Sequence, residues 1–290
     1  MHFADTLIDA IWRCRTPLCL GLDPRWDLLP AQIRRRYPQT EVGRARAYEE
    51  FCLRVLGLAE GHVAIVKPQL AFFEACGPKG MTVLRQVVGA AHRRNFLVVL
   101  DAKRGDIAST AEAYADALYN VYQADAITVH PYLGRDSLEP FIDYARKTGR
   151  GVFILVRTSN PGSNDYQNLD CGSAKLYEHI ARHVQGWAQE TAGRSGFGLV
   201  GAVVGATQAP VLATLRQHMP SALFLLPGYG AQGAKAASLA PAFTGQGKGA
   251  IVNAARSILY APPPEAEDWE AHVFQALLQA KTELAAVAGF

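Results

Sequence analysis

Eight short apolar runs, each followed by a longer stretch of helical periodicity, predict an α/β fold in which eight parallel strands close into a (β/α)8 barrel. The runs are Leu18 to Leu22, Val63 to Lys67, Phe96 to Asp101, Ala126 to His130, Val152 to Val156, Leu199 to Val204, Ala222 to Leu226 and Ala250 to Asn253. Charged and hydroxyl residues recur where these runs end, as they do where a barrel gathers its loops on one mouth. The competing arrangement, a doubly wound open sheet, would usually place a Gly-rich phosphate loop after its first strand, whereas Leu18 to Leu22 is followed by DPRWDLLP. The reading is one domain over residues 1–290, with a Pro- and Arg-containing insertion at about 24–40 and a break at Pro262 to Pro264 before the last helix.

At 49% hydrophobic and 19% charged residues the chain has apolar surface for a sizeable core. A formal net charge of +3, without basic runs interleaved with aromatics, argues against nucleic acid as a partner. Asp5 and Asp9 interrupt the N-terminal apolar pattern, so it reads as a helix with Phe3, Leu7, Ile8 and Ile11 on one face and not as a signal peptide. No apolar run is long enough to span a bilayer, and the expected location is cytoplasmic. The five cysteines (Cys14, Cys19, Cys52, Cys76, Cys171) are scattered and are expected to be reduced and mostly buried.

The strand ends carry Asp23, Lys67, Asp101 with Lys103, His130, Thr158 with Ser159, Thr207, Gly228 with Gly230, and Arg256. The densest group is VVLDAKRGDIAST. Asp101 and Lys103, two apart, point to the same side of an extended strand, and Asp106 lies past its end, able to reach back to Lys103 or across to another subunit. A surface ion pair beside a helix cap is the competing reading of these three charges. Ser109 and Glu112 have capping-box spacing, which starts a helix at Ser109 and gives that serine a structural role. Thr110 falls in the first turn, where a solvated hydroxyl and a ligand contact are both reasonable. Lys67 ends the second run and should share the mouth with Asp101 and Lys103. A carboxylate beside an ammonium keeps it protonated, which suits an acid and not an amine nucleophile.

From Thr191 through Pro264 there is no acid, although the chain has 26 Asp and Glu among its 290 residues. Even placement would put about six or seven there. Arg194, Arg216, Lys235, Lys248 and Arg256 lie within this stretch, which should attract anions. The same stretch holds LPGYGAQGA and NAARSI after the seventh and eighth runs, where barrels often hold phosphate. Gly230, Gln232 and Arg256 are the expected phosphate-side residues, Arg256 for its bidentate donors. Gly228, Gly230 and Gly233 also fit the dinucleotide spacing, but no acid follows before Glu265 to bind a ribose. His179 and His183 have the spacing of helical zinc ligands but lack the accompanying Glu, so no metal is expected. The helix from Ser173 to Gln189 shows ordinary core spacing at Leu176, Ile180, Val184 and Trp187. For His130, a substrate contact and a satisfied buried histidine remain open.

With KPQ upstream and LPGYGAQGA and NAARSI downstream, DAKRGDIAST resembles the longer bacterial type of the orotidine 5'-monophosphate decarboxylase family over nearly the whole chain. The resemblance implies a TIM barrel that works without a cofactor, as a homodimer. Lys67, Asp101 and Lys103 of one subunit would be joined by Asp106 and Thr110 of the other. Asp23 would bind the ribose, Ser159 the pyrimidine, with Thr158 as its neighbouring alternative, and Gln232 and Arg256 the phosphate of orotidine 5'-monophosphate. Lys103 would protonate the carbon left after loss of CO2. A related group, the sugar-phosphate synthases and decarboxylases, typically carries an acid at the second strand to hold magnesium; here that strand ends in Lys67. A non-catalytic phosphate-binding barrel would need Gln232 and Arg256 but not the lysine and aspartate set.

Overall fold

A computed structural model describes residues 1–206, 209–230 and 235–290. Its centre is a closed TIM barrel of eight parallel strands: β1 (Leu18–Leu22), β2 (Ile65–Pro68), β3 (Leu97–Arg104), β4 (Ala126–Val129), β5 (Gly151–Arg157), β6 (Val200–Val204), β7 (Phe224–Pro227) and β8 (Ala250–Ala254). Each strand pairs with the next, and β8 closes on β1 with Leu18 opposite Val252. All eight runs read from the sequence are strands, because strands covered on both faces are short, continuous and apolar.

The N-terminal helix Phe3–Cys14 buries the face its periodicity announces and seats Phe3 edge-on to Phe153 of β5, with centroids 6.1 Å apart. The helix Glu41–Ala59 starts where the Thr40 hydroxyl accepts the Gly43 N–H at 3.1 Å, and the helix Trp269–Ala288 packs its buried Trp269 against Phe51. Between β1 and Glu41 the segment at 24–40 forms the turns Trp26–Leu28 and Ala31–Arg34 and buries Leu29 and Ile33. The Ala31 N–H bonds the Pro264 carbonyl at 2.7 Å, so the two irregular stretches pack together. They meet because β1 and β8 are barrel neighbours.

Two local expectations are corrected. Ser109 does not cap a helix: the helix is Ala108–Asp116, with Ile107 at the cap position and its carbonyl accepting from Thr110 and Ala111. The Asp106 carboxylate takes the Ile107 N–H at 2.8 Å, and the chain turns into the helix one residue early, through Ala108 at φ 46°. The helix expected from Ser173 is Leu176–Glu190, because Ala174–Lys175 pairs with Asp170–Cys171 as a two-stranded ribbon. The Glu178 carboxylate fixes the new start by accepting the Lys175 N–H at 2.7 Å. The buried face then runs through Tyr177, Ala181, Val184 and Trp187, so Leu176 and Ile180 lie beside it.

Arg216 does not serve an anion site either. It is 8% exposed, its guanidinium lies 3.6 Å from the Phe224 ring centroid, and it donates to the carbonyls of Met219, Ala222, Ala242 and Gly249 at 2.7–3.0 Å. It thereby ties together the chain entering β7 and β8. Arg216→Met should lower unfolding free energy by about 3 kcal/mol in urea titration, because several buried carbonyls lose their donor.

Candidate active site

The strand ends enclose a cavity of about 760 Å³ whose walls include Asp23, Lys67, Asp101, Lys103, Ser159 and Arg256. These six come from β1, β2, β3, β5 and β8 or the loops just beyond them, so residues remote in sequence converge because the barrel brings its strand ends to one rim.

Asp101 is the centre of this cavity. Its Oδ2 accepts from Lys67 Nζ at 2.6 Å and Gln69 Nε2 at 3.0 Å; its Oδ1 accepts from Lys103 Nζ at 2.6 Å and Thr128 Oγ1 at 2.9 Å. Asp101 is 7% exposed and Lys67 3%, whereas the Lys103 side chain is 46% exposed. Burial alone pushes the Asp101 carboxyl up, but the two ammonium groups and their hydrogen bonds outweigh it and hold it well below the usual carboxylate range. Burial likewise favours neutral Lys67, and Asp101 with Asp23 overrides it, raising the lysine above its ordinary value. The surface ion-pair reading of the three charges Asp101, Lys103 and Asp106 is therefore excluded for Asp101, the buried one among them.

Lys103 reaches Asp101 by a route that strand alternation alone does not supply. The pairing of β3 with β4 runs Leu100 to Ile127 and then jumps to Arg104 with Val129, so β3 bulges between them. Lys103 sits on that bulge at φ 46°, a left-handed conformation uncommon for a residue with a side chain. The bulge folds its ammonium back onto the carboxylate two residues earlier.

Asp23, just past β1, has a buried Oδ1 without a hydrogen-bond partner among the described residues, and the same holds for Asn253 Oδ1 on β8. Burial raises the Asp23 carboxyl, opposed by Lys67. Unpaired acceptors in a cavity wall are poised for a ligand's hydroxyl donors. Tyr260 positions this corner by donating to the Asp23 carbonyl at 2.8 Å and accepting the Arg25 N–H at 2.7 Å.

After β5 two adjacent hydroxyls, Thr158 and Ser159, both line the cavity but differ in their partners. Thr158 Oγ1 donates to Asn160 Oδ1 at 2.7 Å and accepts from Gln167 Nε2 at 2.8 Å, while Ser159 has no side-chain bond among the described residues. Fully buried Arg157 anchors the loop by donating to Ser163, Asn164 and Gln167. Gly205 lets the loop close in, since a Cβ there would lie 2.9 Å from Ser159.

On the anion side, Arg256 opens the short helix Arg256–Leu259, lines the cavity and has no acid partner among the described residues. Gly230 adopts φ 73°, and a Cβ there would press within 2.8 Å of Ser257 Oγ. Gln232, Gly233 and Thr207 lie outside the described residues. Of the other cations in the acid-free stretch, Arg194 pairs with Asp9 at 2.7 Å, Arg216 is buried elsewhere, and Lys235 and Lys248 do not line the cavity. Arg25 does line it.

Asp106, Thr110 and His130 are not brought to the cavity within one chain. Asp106 is held by the Ile107 N–H, Thr110 is exposed, and His130 packs against Gly105, where a Cβ would lie 2.3 Å from its Nε2. His179 Nε2 donates to the Cys171 carbonyl at 2.9 Å, away from the cavity. Sequence reading passed over Gln69, Thr128, Asn253 and Tyr260. The available signal was a polar residue inside an apolar strand for Thr128 and Asn253, and the residue after the strand for Gln69.

Asp101→Asn leaves Lys67 buried with only Asp23 to balance it and should cost about 3 kcal/mol of unfolding free energy at neutral pH. Because the folded carboxyl is depressed, this contribution is complete above the unfolded carboxylate range and lost as pH falls through the folded value. Urea melts of the two proteins should therefore differ by a constant amount from about pH 5 to 8 and converge only well below about pH 4.

The model of the orotidine 5'-phosphate decarboxylase / HUMPS family matches residues 16–270. An orotidine 5'-phosphate decarboxylase of Rhodopirellula baltica is 40% identical over 299 residues, spanning 98% of this chain and 99% of that protein. One from Deinococcus radiodurans is 44% identical, spanning 89% of each. The solved OMP decarboxylase of Leishmania donovani superposes with a TM-score of 0.79 at 36% identity and covers 99% of both chains. With this barrel, this lysine-aspartate cluster and these relatives, the chain belongs to the orotidine 5'-phosphate decarboxylase / HUMPS family.

Proposed function

We propose that the protein decarboxylates orotidine 5'-monophosphate to uridine 5'-monophosphate and CO2, a carboxy-lyase step of pyrimidine biosynthesis. The observation that carries this reading is Asp101 gripping Lys67 and Lys103 at 2.6 Å each inside the cavity. Arg256 and the Gly230 turn would take the phosphate, together with Gln232. Asp23 would take a ribose hydroxyl on its unpaired oxygen, and Ser159 the pyrimidine. The bond from the pyrimidine ring to its carboxylate breaks, CO2 leaves, and the electron pair stays on the ring carbon. The Lys103 ammonium stabilises that charge and transfers its proton to the carbon, becoming a neutral amine that solvent reprotonates. Asp101 beside the substrate carboxylate disfavours the bound ground state by like-charge repulsion, which departure of CO2 relieves. Phosphate contacts far from the reacting carbon supply binding energy that holds the ring against these groups.

The magnesium-dependent relatives of the same barrel are disfavoured by Lys67. Its ammonium fills the strand-end position where an acid would hold the cation, and the one carboxylate it touches among the described residues already accepts from four donors. The substrate is a phosphorylated nucleotide, which does not cross membranes, and we place the enzyme in the cytoplasm. Among the described residues no helix is long and apolar enough to cross a membrane.

The working unit is proposed to be a homodimer, with Asp106 and Thr110 completing the partner's site. Both lie outside their own cavity, on a segment that also exposes Ile107, Tyr114 and Val121. We read the whole chain, residues 1–290, as a single domain with the 24–40 segment as its insertion.

Ultraviolet assay with excess EDTA should show undiminished turnover. Lys103→Ala should reduce kcat by at least about 10³-fold, while Arg256→Ala should chiefly raise KM, by about 10- to 100-fold. EDTA-sensitive turnover, or a fully active Lys103→Ala, would overturn the assignment. Mixing inactive Lys103→Ala with inactive Asp106→Ala should restore about a quarter of wild-type activity, because half of the sites in each mixed dimer are intact. No recovery after subunit exchange would place Asp106 in its own subunit's site.

A further inference from the structure

We propose that Thr128 is a positioning residue for this reaction: its hydroxyl aims the Asp101 carboxylate and also holds β3 in the bulge from which Lys103 reaches the cavity. The inference rests on the decarboxylase reading above.

Thr128 lies on β4 between apolar Ile127 and Val129, is 1% exposed and lines the cavity. Valine has nearly the same shape, and packing alone would accept it; only the hydroxyl distinguishes threonine here. That hydroxyl makes three bonds. It donates to Asp101 Oδ1 at 2.9 Å and accepts the backbone N–H groups of Ala102 at 3.1 Å and Lys103 at 3.0 Å. The two amides belong to the stretch where the pairing of β3 with β4 skips from Leu100 to Arg104, so the ladder offers them no partner. One oxygen on β4 replaces the missing rungs. Without it, the buried Ala102 amide and the part-buried Lys103 amide would be unpaired, and Lys103 would lose what holds it at φ 46°.

The partner arrangement at Asp101 separates the neutral donors from the charged ones. Each carboxylate oxygen has one ammonium, Lys67 or Lys103, and one neutral donor, Gln69 or Thr128. When Lys103 gives up its proton to carbon, the Thr128 bond still fixes the oxygen that Lys103 had shared. The acid can then act without the carboxylate swinging away. Thr128 touches no reacting atom, and its effect runs through Asp101 and the Lys103 backbone.

The test compares Thr128→Val, which keeps the shape, with Thr128→Ser, which keeps the hydroxyl, beside wild type in the orotidine 5'-monophosphate assay. Thr128→Val should lower kcat by about 10- to 100-fold, the scale of an ångström-sized misplacement, with KM within about threefold. Thr128→Ser should restore kcat to within about threefold of wild type, and thermal melts should show both variants folded. Should Thr128→Val fail to fold, Thr128→Ala against Thr128→Ser makes the same comparison. Unchanged kcat in Thr128→Val, an equal loss in Thr128→Ser, or a change in KM alone would overturn the inference. Wild-type inactivity would overturn the decarboxylase reading itself, whereas an active wild type matched by Thr128→Val overturns only the role of Thr128.

Discussion

One buried carboxylate organises this protein's chemistry. Asp101 is nearly inaccessible, yet it stays ionised because two ammonium groups reach it at 2.6 Å and two neutral donors fill its remaining positions. A carboxylate in an apolar strand end would otherwise take up a proton, and the buried Lys67 would lose its own. The interaction is reciprocal: Asp101 keeps the lysines charged, and the lysines keep Asp101 charged. The β3 bulge, Gln69 and the Thr128 hydroxyl hold that balance in place.

The barrel makes this arrangement possible. Its strands are rigid and covered on both faces, so a side chain at a strand end is held by a packed support while the loops beyond remain free to carry specificity. The opposite end of the barrel has a different task. There Arg216 spends its donors on carbonyls at the entries to β7 and β8, a use of charge for fastening. The cations of the acid-free stretch therefore divide by position. Arg256 stands at the cavity rim, and Arg216 and Arg194 are occupied with structure.

The β5 loop shows how a packed anchor sets which atom is available. Arg157 and Gln167 tie the loop down and occupy the Thr158 hydroxyl, while the Ser159 hydroxyl in the same cavity wall has no side-chain partner among the described residues. Two adjacent hydroxyls of similar chemistry are thus given different surroundings by their neighbours alone.

The sequence by itself determined the eight strands and the residues that break their apolar pattern at the ends, Asp23, Lys67, Asp101, Lys103 and Arg256, because strand periodicity and a charge after an apolar run are local signals. The family motifs then tied these positions to one reaction. Local signals misplaced Ser109 as a cap and shifted the buried face of the helix Leu176–Glu190, since the Asp106 carboxylate and a short ribbon settle where those helices begin. Only the tertiary structure decided that Gln69 and Thr128 hold Asp101, that Tyr260 positions the Asp23 corner, that Asn253 brings an unpaired oxygen to the cavity wall, and that Arg216 is a fastener. Those roles depend on which strands are neighbours and in what register, and register is set by packing across the whole barrel.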